Sequence, residues 1–362
     1  MIKVNSMVCL KKFFCIVLVF IFALTPGFSG SIFKKTNEGE IRAQENEKDT
    51  VSDKEYESDL ESPKNHGMYT VGTQDFRWTL PKSNAIFFAK VFFPMNLEKK
   101  CPIVIYSHGL GGAPEQYAYF GKMWASRGIV SFFIDHPGSN RDVWKGSLRP
   151  FSELKTAYQK CWSGRDRALS IRFMIDRITD LIKSDNPLGK ILDGEKIAVS
   201  GNDLGALASL LVAGQLPPDN GPSLKDDRVC AVLALSPTIY CSPASGKIVY
   251  ADIDVPVMSF SGTKDDGIVG KTKTYQRRIP FDSLKEKDHF HITLIDADHQ
   301  IYSGHQFRNR KKSDIMFQRI IMNISTVFWG TYLLEDKDAK DLLKNNCSSL
   351  LGEHGKFESK YE

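Results

Sequence analysis

The sequence predicts an α/β protein built on a mostly parallel central sheet with helices on both faces. Three observations carry this. Short apolar runs of strand type alternate with helix-length segments between residues 68 and 335, the pattern of strand–helix–strand crossovers. Several runs end in loops rich in glycine, aspartate or histidine (His108-Gly109-Leu110-Gly111-Gly112, Ser261–Asp266, Asp296–His299), as happens where a parallel sheet gathers its ligand-binding loops. One strand-to-helix junction, Gly201-Asn202-Asp203-Leu204-Gly205, puts two glycines around a polar residue, in a turn too tight for side chains at the flanking positions.

The elements follow in order. Tyr69–Trp78 and Ala85–Phe93 read as antiparallel strands separated by Pro81-Lys82-Ser83-Asn84. Pro102–Ser107 is a buried strand ending on the His108 loop. A helix from about Pro114 to Arg127 is closed by Gly128, and Ile129–Asp135 forms the next strand. Residues 138–159 have weak periodicity with Gly138, Gly146 and Pro150, so they read as an insertion over the sheet, anchored by Trp144 and Phe151. Asp166–Lys183 carries Leu169, Phe173, Ile178 and Leu181 at helical spacing. Ile197–Val199 is the strand before the glycine turn, and Ala206–Gly214 the helix after it. Val229–Leu235, Val255–Phe260 and His291–Ile295 are further strands, and an amphipathic helix from about Ser313 to Leu334 ends the domain. Residues 336–362 read as a polar C-terminal tail.

Two zones precede the domain. Lys11-Lys12, the apolar run Phe13–Leu24 and the small-residue stretch to Ser29 have the layout of an export signal over residues 1–29. The run is shorter than the ~20 residues of a membrane span. The expectation is an exported, secreted or periplasmic protein; the alternative is an anchor formed by the uncleaved segment. Residues 30–67 are rich in Glu, Lys, Asp, Ser and Asn and poor in aliphatics, so they predict a disordered polar linker.

Composition excludes some classes. Of the 362 residues, 42% are hydrophobic and 25% charged, ordinary for a folded domain. The formal charge of +5 falls to +2 without Lys3, Lys11 and Lys12 of the leader, and no basic stripe interleaved with aromatics supports nucleic-acid binding. Of the cysteines beyond the leader (Cys101, Cys161, Cys230, Cys241, Cys347), none has metal-site spacing. Cys230 and Cys241 are a candidate disulfide, or else two small core residues. His289, His291 and His305 have no ligand partners at useful spacing, and Arg165 and Arg167 read as surface partners of acidic neighbours. Asn323-Ile-Ser and Asn346-Cys-Ser are glycosylation sequons by pattern alone, and the first lies on a helix. Asp135-His136-Pro137 follows a strand and would line the pocket.

The chemistry-bearing residues come in a fixed chain order: the turn at Asp203, an acidic residue after a later strand, and a histidine after the last strand. His299 is the candidate general base, since an imidazole exchanges protons near neutral pH. Asp265, ahead of Asp266 because it sits nearer its strand end, would orient that ring and stabilise its cation. The amides of Leu110 and Leu204 would form the oxyanion hole. For Asp203 the competing reading is a helix N-cap, and for His299 a loop histidine.

Tyr106-Ser-His-Gly-Leu-Gly-Gly112, the turn at Gly201 and Ala297-Asp298-His299 together resemble the platelet-activating-factor acetylhydrolase and dienelactone-hydrolase branch of the α/β-hydrolase fold, over roughly residues 68–334. The resemblance implies hydrolysis of small or lipid-borne short-acyl esters without metal or organic cofactor. The partners it implies are a small-molecule or lipid ester and, for a lipid substrate, peripheral membrane contact. Two departures stand out. The family nucleophile is Ser or Cys, whereas this chain has Asp203. The animal lipid acetylhydrolases carry their acid after the strand matching Val229–Leu235, where this chain has Ser236; Asp265 matches the dienelactone-type placement.

Asp203 changes the chemistry. A carboxylate attacking an ester would form an anhydride while expelling a far more basic alkoxide, so the intermediate would revert. Three readings remain. The first is an ester hydrolase by another route, such as His299 activating water that Asp203 positions. The second is an Asp-nucleophile hydrolase that alkylates its carboxylate, which resembles haloalkane dehalogenases and epoxide hydrolases. The third is a hydrolase fold kept for binding alone.

Overall fold

A computed structural model describes residues 51–52, 67–81, 83–285, 288–303 and 310–361. All of these belong to one compact unit, residues 46–362. The leader at 1–29, most of the linker and His305 lie outside the described residues.

Nine strands form one sheet: β1 (Val71–Thr79), β2 (Ile86–Pro94), β3 (Cys101–Ser107), β4 (Val130–Ile134), β5 (Leu192–Asn202), β6 (Val229–Leu235), β7 (Val257–Lys264), β8 (His289–Asp298) and β9 (Gly355–Lys360). Their spatial order is β1-β2-β4-β3-β5-β6-β7-β8-β9. The centre, from β4 through β3 to β8, is parallel. The margins are antiparallel, with β2 against β1 and β4, and β9 against β8. The predicted α/β architecture is therefore present.

Period-two alternation in the strands divides the core. Ile103 and Ile105 of β3 face one layer, Val104 and Tyr106 the other. The first layer is covered by α3 (Arg165–Lys183) and α4 (Leu204–Ala213), the second by α1 (Ala118–Ser126) and α5 (Lys312–Tyr332), with α2 (Pro150–Cys161) contributing Leu154 and Ala157 to the first. All ten residues of α4 are buried. A fully buried Leu or Ile stabilises by about 1.5–3 kcal/mol, so this helix is held by burial on every side. On the opposite face Trp124 and Trp329 meet edge to face, ring centres 6.0 Å apart, and lock α1 to α5.

Three expectations need correction, and one pair of alternatives is decided. Residues 336–362 are not a bare polar tail. Leu343, Cys347 and Leu351 enter the core, and β9 pairs along β8 from Leu294 to His289, covering a strand that would otherwise leave an open edge. Alternation in Gly-Lys-Phe-Glu-Ser-Lys is too polar to announce a strand, so the pairing partner decides. Val51, placed in the linker, is buried and donates its amide to the Arg310 carbonyl at 2.9 Å. Cys230 and Cys241 are free thiols, and Cys241 Sγ instead faces the Tyr250 hydroxyl at 3.8 Å. In the 138–159 insertion Trp144 is an anchor, its indole N–H donating to the Gly111 carbonyl at 2.8 Å, whereas Phe151 is 53% exposed. Among the described residues no helix is long and apolar enough to cross a membrane.

Candidate active site

β5 runs directly into α4 through Asp203, whose φ of 53° and ψ of −117° lie outside the broad regions open to L-residues. Such a conformation costs on the order of 1–3 kcal/mol and persists only where its surroundings impose it. The flanking glycines explain how it is imposed. A Cβ on Gly205 would stand 1.9 Å from the Ser107 carbonyl oxygen, and one on Gly201 2.5 Å from the same atom. The helix start thus presses against the end of β3 and throws the 203 side chain upward. Asp203 occupies the N-cap position of α4, but its side chain caps no amide there. Its Oδ1 accepts the Thr238 hydroxyl at 2.5 Å, and its Oδ2 faces the Leu110 amide at 3.4 Å.

His299 follows the end of β8 and Asp265 the end of β7, and the register of those parallel neighbours brings them together. His299 Nδ1 lies 2.8 Å from Asp265 Oδ1. The acid is fully buried. Ser236, at the end of β6 with φ of 48°, donates its hydroxyl to the same Oδ1 at 2.9 Å and sits 2.9 Å from His299 Nδ1. The position vacated by the acid of the animal enzymes therefore touches both members of the pair. Arg277, also fully buried, places Nε 3.1 Å from Asp265 Oδ1 and donates to the main-chain carbonyls of Asp265, Ser236 and Pro237 at 2.7, 2.8 and 3.0 Å. One buried carboxylate is thereby matched by one buried guanidinium, the condition under which charge survives in an interior.

The loop after β3 is held from below. Arg167, expected on the surface of its helix, is 1% exposed and donates to the carbonyls of His108, Gly109 and Ser139, the last at 3.1 Å. Arg165 does pair with an acid, Asp219, at 2.7 Å. His108 is clasped between the Gly109 carbonyl at 2.7 Å and Asp135 Oδ1 at 3.1 Å. Burial, opposed by Asp135, pushes its imidazole below the usual range. His136 does not line the Asp203 pocket: it is buried, 2.7 Å from the Ser107 hydroxyl, and burial keeps it neutral. Asp135 opens instead on a separate groove with Arg77, Glu115 and Arg141.

Asp203 and His299 line one void of about 20 Å³, with Leu110 and Asn202 beside them and Leu154 and the Gly267–Gly270 loop above. About 10–15 Å³ suffices for one water. Leu204 opens α4, so its amide is among the first-turn donors without a helical acceptor. Among the described residues no three His, Cys, Asp or Glu side chains converge as metal ligands.

Compared with family models, residues 89–142 match platelet-activating factor acetylhydrolase, isoform II. Over that stretch the chain is similar to the platelet-activating-factor-acetylhydrolase-like branch of the α/β-hydrolases. No curated protein matches it. The matched stretch runs from β2 through β3 and the His108 loop to the turn after β4, so it includes Leu110 and ends before Asp203, Asp265 and His299. The family matched is one of hydrolases.

Of the five site residues the sequence points to, the structure gathers Asp203, Leu110 and His299 around the void, with Asp265 behind His299 and Leu204 at the helix start. Sequence reasoning missed Thr238, Arg277 and Arg167. Each acts through a partner distant in sequence, by 35, 12 and 59 residues. Only Ser-Pro-Thr directly after an apolar strand hinted at a structured loop.

Proposed function

We propose that this chain hydrolyses carboxylic esters by direct attack of water, with His299 as general base and Asp203 as the group that positions the water. The observation that carries the reading is the His299–Asp265 pair, whose imidazole lines the same water-sized void as Asp203. With Nδ1 engaged by Asp265, Nε2 takes a proton from water. The hydroxide adds to the ester carbonyl, and the oxyanion meets the Leu110 and Leu204 amides. The Leu110 contact with Asp203 is long at 3.4 Å, so this donor is readily surrendered. Collapse expels the alkoxide, which regains the proton from the imidazolium; ester and water become acid and alcohol. An ester would enter past Leu154 and the Gly267–Gly270 loop, which line the void together with Asp203 and His299. Lipid-borne short-acyl esters are the substrates that the family match favours.

The test is turnover of p-nitrophenyl acetate and butyrate by wild type, His299→Ala and Asp203→Ser. Activity in wild type that disappears with His299 supports the reading. An inert wild type beside an active Asp203→Ser variant would sink it in favour of a binding protein.

A second reading draws on one observation: the Leu110 amide already faces an Asp203 oxygen, as an alkyl-aspartate ester would require when water attacks it. Single turnover in heavy-oxygen water separates the two. Label in Asp203 marks alkyl transfer, and label in the product acid alone marks direct attack.

A further inference from the structure

We infer that Thr238 is a positioning residue that withholds Asp203 from nucleophilic attack and leaves the reaction to water, an inference that rests on the direct-water reading above. The loop after β6 turns at Ser236, and its side chains reach both halves of the site. Ser236 touches Asp265 and His299, and Thr238 touches Asp203. Thr238 is 2% exposed, and its hydroxyl stands 2.5 Å from Asp203 Oδ1. Its amide also donates to the Asp203 carbonyl at 3.3 Å, so side chain and main chain hold the same residue.

The loop is tied at three further points. Arg277 grips the carbonyls of Ser236 and Pro237, and the Ile239 amide donates to the Thr272 hydroxyl at 3.1 Å. Bonds to an ionised acceptor are short and about twice as strong as neutral ones. A donor on Oδ1 draws charge from the carboxylate and fixes its plane, while Leu110 faces Oδ2. Each oxygen thus carries one donor, the Thr238 bond being the shorter, and each keeps a lone pair. What the carboxylate retains is the capacity to accept a hydrogen from a water in the adjoining void.

The experiment compares wild type with Thr238→Val, which keeps shape and removes the hydroxyl, and Thr238→Ser, which restores it. Asp203 nucleophilicity is read directly by treating each folded protein with trimethyloxonium, which transfers a methyl group to a carboxylate oxygen and leaves as dimethyl ether. The Asp203 methyl ester is followed by peptide mass. Expected is methylation about tenfold faster in Thr238→Val, the equivalent of losing one hydrogen bond to a charged group, with Thr238→Ser at the wild-type rate. In the esterase assay the Val variant should lose kcat about tenfold with KM within about twofold, and the Ser variant should recover it. Equal methylation in wild type and Thr238→Val overturns the inference, as does equal acceleration in Val and Ser variants. Should the Val variant not fold, Thr238→Ala makes the same comparison. A wild type inert toward every ester removes the hydrolytic reading, while the methylation rates still decide whether Thr238 restrains Asp203.

Discussion

The Asp265 carboxylate and the His299 imidazole meet at 2.8 Å beneath a void that Asp203 also lines, although 34 residues separate the first two in sequence. Their encounter is fixed by parallel pairing of β7 and β8, and Arg277 stands 3.1 Å from the Asp265 carboxylate.

For the direct-water reading, His299→Ala should lower esterase kcat/KM by at least about a thousandfold with the melting temperature little changed. Asp265→Asn should lower it by a similar order, since the amide presents the wrong partner to Nδ1. Asp265→Ala should in addition destabilise by about 3–5 kcal/mol, because Arg277 is left as an uncompensated buried charge. Urea unfolding of the three variants checks this, and an Asp265→Ala protein as stable as wild type would contradict it.

Arg167 holds the loop that presents Leu110. Arg167→Leu removes the donor to three carbonyls, of which Gly109 and Ser139 keep the Gly112 and Gly111 amides while His108 loses the guanidinium, and should cost about 1–3 kcal/mol. Because the loop loses its register, kcat should fall more than KM rises. Calorimetry together with steady-state kinetics reads both effects, and a variant with wild-type kcat would rule out this role.

The turn at Asp203 depends on a close approach of main chains. Gly205→Ala would bring a methyl group 1.9 Å from the Ser107 carbonyl oxygen, with backbone on both sides and no flexible side chain to yield. Overpacking of this kind costs about 1–3 kcal/mol or more. Gly138→Ala meets nothing within 4 Å, so whatever it costs comes from its φ of +84° alone. A lower urea midpoint for the first variant than for the second is the expected result.

Acid should weaken the fold through His291. Burial between Ser259 and Ser261 pushes its imidazole down to about 4. The unfolded chain takes up this proton near pH 6.5 and the folded chain only near 4. In that window the unfolded state binds more protons, so stability falls as pH drops, by about 3 kcal/mol in total for a fully buried ring. Unfolding free energies at pH 7.5 and 4.5 measure the fall, and His291→Gln should flatten it. An equal slope in both proteins would assign the loss elsewhere.

Much of this was legible in the linear chain. Alternation of strands and helices fixed the class, and the order of turn, acid and histidine marked the loops, because each signal lies within a few consecutive residues. Gly201 and Gly205 announced a main-chain approach that the Ser107 carbonyl then supplied. The polar C-terminal residues were opaque, since a six-residue strand with one aromatic becomes a strand only beside β8.

What the amino-acid order determined by itself was the fold and the identity of the loops at the carboxyl ends of the strands. Which side chains hold Asp203, Asp265 and the His108 loop was decided by tertiary structure alone. Thr238, Arg277 and Arg167 look like any surface hydroxyl or cation until packing removes water from them. Once water is gone, each must find its partner within the protein, and those partners happen to be the groups of the site.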